Sequence, residues 1–107
     1  MESYKIYERS YTELQRIKET LGTDYVSINF DVLDGQSKQL LYGVYKDQLA
    51  AANELTKDRL KWIDTNCIIE IDFTTLLPET QTKLTASLLA AVNTRIREVG
   101  QVLTGVH

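Results

Sequence analysis

A chain of 107 residues can build one hydrophobic core but not two, so residues 1–107 read as a single domain. Apolar residues make up 43% and charged residues 25%, the balance of an ordinary soluble globular domain. A net charge of −3 argues against binding nucleic acid through bulk charge. One cysteine excludes an internal disulfide framework and any zinc site built from paired cysteines. The only histidine is the last residue, His107, so neither a catalytic triad nor a multi-histidine metal site can be assembled.

The five glycines are scattered and form no phosphate-cradling loop, and the one proline excludes a polyproline ligand. No apolar run approaches the ~20 residues of a membrane-spanning helix. The first residues carry Glu2 and lack the basic and apolar regions of a secretory signal. The expected location is therefore cytosolic, with Cys67 as a free thiol. No internal repeat is read from the sequence.

The first predicted element is a helix over 10–21. Ser10 and Glu13 have capping-box spacing, Leu14, Ile17 and Leu21 line one face, and Gly22 suits a left-handed stop. Residues 25–32 then alternate, with Val26, Ile28, Phe30 and Val32 on one face, which predicts a half-buried strand. Asp34-Gly35 reads as a turn.

Residues 36–66 admit two readings. In the preferred one, 39–46 is a second strand, because Gly43 is costly in a helix and Tyr and Val favour strands. Asp47 then caps a helix whose stripe includes Leu49, Ala52, Leu55, Leu60 and Ile63, with Trp62 at its edge. In the other reading the whole stretch is one long helix. Residues 67–73 form the next strand, with Cys67, Ile69, Ile71 and Phe73 facing the core. The last element is a long helix over 76–103, capped by Thr74 or Thr75, with Pro78 in its first turn.

The expected fold is α+β: a small antiparallel three-stranded sheet packed against three helices, with a long C-terminal helix. The alternative is helix–strand–helix–strand–helix, its long middle helix crossing between two parallel strands.

Charge is uneven along the chain. The strands predicted at 25–32 and 67–73 carry acids and no bases. Asp31, Glu70 and Asp72, with Asn29, are candidate oxygen ligands for a hard divalent cation if the strands are neighbours. The plainer expectation is a solvated sheet face, whose carboxylates would favour a basic partner. The same acids would have to supply any metal-assisted hydrolysis or paired-carboxylate chemistry. Cys67 is expected to be a small core hydrophobe rather than a nucleophile, since no base accompanies it.

Leu89, Val92, Ile96, Val99, Leu103 and Val106 recur at alternating three- and four-residue spacings, a seam fit for the core or for the same helix of another copy. Tyr4, Tyr7 and Tyr11 share a stripe if the N-terminus is helical, and are candidate interface residues with that seam. Arg95 and Arg97 are candidate contacts for an anionic ligand.

The functional expectation is a small cytosolic, non-enzymatic interaction module. It self-associates and binds or inhibits a partner protein, possessing no cofactor, nucleic-acid or membrane partner. The alternative is a small-ligand binder with its site between protomers. A metal-dependent hydrolase ranks below both.

Overall fold

The structure is a computed structural model that describes residues 2–59 and 67–105. The first 21 residues contain neither glycine nor proline, and α1 runs through Glu2–Thr20. Gly22 follows with φ 98°, the left-handed conformation expected of it. Strand β1 is Tyr25–Asn29, and a 3-10 turn at Phe30–Val32 ends it. Helix α2 is Gly35–Ala51, β2 is Ile68–Asp72, and a second 3-10 turn is Phe73–Thr75. Helix α3, the expected long C-terminal helix, is Pro78–Thr104 and stops at Gly105 with φ 74°. Residues 57–59 are also helical.

The described sheet has two antiparallel strands rather than three. The segment expected to be the third strand lies inside α2. Asp34 is not a hairpin turn residue but the N-cap of that helix, accepting from the Ser37 N–H. Ser37, Leu41, Tyr45 and Leu49 then fall four apart on one buried face. That face and the cap outweigh the strand preference of Tyr and Val. Gly43 looks into open space, so its helix cost of about 1 kcal/mol is not repaid by a close approach. Asp47, the expected start of a separate middle helix, is an exposed mid-helix residue of α2. Asn53 reverses the chain with φ 57°. Leu60, Trp62 and Ile63 lie outside the described residues, as does Val106.

Three local expectations are corrected. Ser10 and Glu13 sit inside α1 rather than capping it. Neither Thr74 nor Thr75 caps α3; its N-cap position is Leu77, which has no side-chain cap bond. Cys67 is exposed, with φ 54°, just before β2 begins, so it does not join Ile69 and Ile71 in the core.

The strands also reveal a repeat that the sequence hides. The register pairs Tyr25 with Asp72, Ser27 with Glu70, and Asn29 with Ile68. One constant offset carries Tyr25 to Ile68, Ser27 to Glu70 and Asn29 to Asp72, so the pairing maps onto itself. Phe30 N–H donates to the Cys67 carbonyl at 2.9 Å, and its equivalent Phe73 N–H donates to Asp24 at 2.8 Å. Asn29 caps one 3-10 turn through Asp31 N–H, and Asp72 caps the other through Thr74 N–H, each at 3.0 Å. Two strand–turn–helix halves are thus related by a two-fold axis through the Ser27–Glu70 pair. Such an axis forces the strands to run antiparallel, not parallel as in the alternative reading.

The inward strand positions Val26, Ile28, Ile69 and Ile71 are buried. They join Leu14 and Ile17 of α1, Leu41 and Leu49 of α2, and Leu84, Leu88, Val92 and Val99 of α3 in one core. Helix α3 packs against both α1 and α2. Phe30 meets the Tyr42 ring edge-on, with centroids 6.5 Å apart.

Candidate interaction surface

The strand alternation that buries four apolar side chains turns Tyr25, Ser27, Asn29, Ile68, Glu70 and Asp72 to the opposite face. Glu70, Asp72 and Asp31 are exposed, and Tyr25 is 50% exposed. Partial desolvation and the Glu70 and Asp72 carboxylates raise the Tyr25 hydroxyl pKa above its usual value. The outward strand positions include acids and no base, as the sequence implied.

The three acids do not converge. Glu70 and Asp72 share one face of β2, but Asp72 Oδ1 is occupied by the Thr74 N–H at 3.0 Å and the Thr74 hydroxyl at 2.5 Å. Asp31 turns toward Cys67 and pushes that thiol's pKa up. Among the described residues, no group of three acids, histidines or cysteines is placed to hold a metal ion.

At the outer edge of β1, Glu13, expected in a capping box, works instead with Arg16 to pair the strand backbone. Arg16 donates to Glu13 through two bonds of 2.8 and 2.6 Å. Glu13 then accepts the Asn29 N–H at 2.9 Å, and Arg16 donates to the Ser27 carbonyl at 2.6 Å. Backbone groups that would otherwise form an open sheet edge are satisfied by α1 side chains.

Arg95 is neither a surface charge nor free for an anion. It is 6% exposed. Its Nε donates to the Ser37 hydroxyl at 2.9 Å, and one terminal nitrogen donates to Asp34 Oδ2 at 2.8 Å. The other reaches Gln36 and Glu98, each at 3.1 Å. Asp34 also accepts from the Ser10 hydroxyl at 2.8 Å and the Ser37 hydroxyl at 2.6 Å, while its own N–H donates to Ser10. Burial alone would raise the Asp34 pKa, but the Ser37 and Ser10 hydrogen bonds, helped by Arg95, hold it below the usual carboxylate value. This cluster locks α1, α2 and α3 together. A signal for it lay in the sequence: Ser10 extends the Leu14–Ile17 stripe by one turn, and Asp34 stands three residues before Ser37. Arg97 is exposed.

Part of the C-terminal seam is buried within the chain. Val92 and Val99 are fully buried, while Ile96 and Leu103 pack against the core beside Tyr7 and Tyr11. Tyr11 packs over Gly100, 3.5 Å from where a Cβ would stand, which is ordinary contact distance. Tyr4 is 43% exposed and donates its hydroxyl to the Leu103 carbonyl. Leu89 is half-buried. The contacts of Tyr4 with Leu103 and Tyr11 with Gly100 join α1 to α3.

The arrangement defines a small α+β domain of two related halves, with helices behind a two-stranded sheet and an acidic outer face. Comparison with family models, curated proteins and solved structures finds no match to this chain. Among the described residues, no helix is long and apolar enough to cross a membrane.

Proposed function

We propose that this protein is a non-enzymatic interaction module that binds, and thereby restrains, a partner protein with a basic surface. The observation that carries the reading is the outer sheet face, where Glu70, Asp72 and Tyr25 are exposed on a rigid two-stranded frame. An acidic face attracts a basic partner at long range, and an exposed tyrosine gives it an apolar anchor with a polar tip. The free thiol Cys67 supports action in a reducing compartment such as the cytosol. Self-association is not part of the proposal: Val92 and Val99 of the C-terminal seam are buried, while Leu89, Ile96 and Leu103 are half-buried.

The test is fluorescence anisotropy with a labelled arginine- and lysine-rich peptide. Binding should weaken with added salt and fall about tenfold or more on Glu70→Lys with Asp72→Lys. The control reversal Glu8→Lys with Glu19→Lys, on the exposed side of α1, should have a much smaller effect. Equal losses in the two variants would refute the assignment of this face.

A further inference from the structure

The internal two-fold makes Ala52–Thr56 the equivalent of Arg95–Val99, and the two stretches differ. Helix α3 runs unbroken through Arg95–Val99, whereas α2 stops at Ala51. The stop is local. Glu54 N–H donates to the Leu49 carbonyl at 2.8 Å, Asn53 N–H donates to the Ala50 carbonyl at 3.1 Å, and Asn53 takes φ 57°. That pair of bonds closes a helix end around one left-handed residue, a place glycine fills best. Gly22 and Gly105 hold the left-handed place after α1 and α3, but α2 ends on an asparagine, whose side chain disfavours it.

Little else in the chain requires this stop. Val44 to Leu77 contain neither glycine nor proline, and Leu49, Ala52 and Thr56 keep three- and four-residue spacings through the break. Residues 57–59 are already helical, so only residues 52–56 interrupt the helix. The closed hinge carries a second cost. Glu54 Oε1 accepts the Leu77 N–H at 2.9 Å, but Oε2 is closed to solvent and has no hydrogen-bond partner among the described residues.

The contacts that hold the halves together lie outside this hinge. They are the β1–β2 ladder, the packing of α3 on α1 and α2, and the Arg95 bonds to Asp34 and Ser37. Each joins a residue before Ala52 to one after Thr56. Each would form unchanged between the first half of one copy and the second half of another.

We propose that the chain forms an exchanged dimer with a second copy of itself. The 52–56 hinge straightens, α2 continues as one helix through Arg59, and the first half of each copy packs with the second half of the other. Each lobe then places Tyr25 from one copy beside Glu70 and Asp72 from the other, so the acidic face is built twice. The inference goes beyond the basic-partner reading and stands without it.

The experiment refolds the full chain from urea and separates monomer from dimer on a sizing column with light scattering. Refolding at about 1 mM lets a second copy compete with the half already in the chain. Ser27 and Glu70 are a non-hydrogen-bonded pair, because the Phe30–Cys67 bond fixes the alternation of the ladder. Ser27→Cys with Glu70→Cys, in a Cys67→Ser background, therefore suits a disulfide across the strands. After separation, oxidised glutathione should close this bond within the monomer but between chains in the dimer, which then runs as a covalent dimer on a denaturing gel without reductant. The hinge variants, made without these cysteines, read the equilibrium independently. Asn53→Gly should lower the dimer-to-monomer ratio and Asn53→Ala should raise it, each about tenfold or more, since one dimer opens two hinges. A dimer whose cross-links stay within each chain is a surface dimer and would overturn the proposal. So would an Asn53→Ala chain that stays monomeric at the higher concentration, or hinge variants that shift the ratio in the same direction.

Discussion

Replacing Arg95 by methionine tests whether the buried cluster holds the three helices together. Methionine keeps much of the apolar stem and deletes every donor. The bonds to Ser37, Asp34, Gln36 and Glu98 are lost together. Asp34 is left buried, but it retains the Ser10 hydroxyl, the Ser37 hydroxyl and the Ser37 N–H. Removing one partner of a buried ion pair costs about 3–5 kcal/mol, and these surviving donors place the cost here near the lower figure. With a urea slope of about 1.5 kcal/mol per molar for a chain of this size, the unfolding midpoint should fall by about 2 M. The assay is urea unfolding followed by circular dichroism, repeated for Asp34→Asn and the double variant. The double variant should be less destabilised than the two single losses summed, because each single change strands the other group. A fall below about 0.5 M in Arg95→Met, or simple additivity, would refute the view that this pair is a coupled buried unit.

The remaining predictions concern pH, helix propensity and the seam. Asp34 has a folded pKa below its unfolded value of about 3.9, so its contribution is complete above that pH and is lost as pH falls through the folded pKa. Unfolding free energy measured against pH should therefore decline in acid, and Asp34→Asn should flatten that limb. Gly43→Ala places a methyl in open space within α2 and should stabilise by roughly 0.5–1 kcal/mol, read as a higher Tm. Ile96→Glu puts a charge where α3 meets the core and should cost about 2 kcal/mol or more in urea unfolding. Light scattering should show no change in its mass relative to the parent chain; dissociation into a stable folded protomer would contradict the intramolecular role of the seam.

Local chemistry was enough to determine several elements. Period-two alternation found both strands, and their inward Val26, Ile28, Ile69 and Ile71 are all buried. Proline at the start and a three-four stripe found the long α3, and Gly22 marked the left-handed end of α1. These signals are carried by neighbours a few residues apart, so the sequence displays them directly. The acidity of the outer face was legible for the same reason.

What remained was decided by contacts between distant residues. Whether Ser10 caps a helix or serves one depends on Asp34, and whether residues 39–46 form strand or helix depends on what Leu41 and Tyr45 can bury against. Arg95 looked like a surface charge because its partners lie far away in the chain. The internal two-fold is faint in the sequence because identity is confined to scattered core positions, such as Ile28 and Ile71, Phe30 and Phe73, or Leu41 and Leu84, while the polar positions between them differ. Periodicity reports which face of an element is apolar, but tertiary structure alone decides what covers that face. Here it set Arg95 of α3 against the first turn of α2, and it stopped α2 at the stretch whose equivalent in α3 runs on.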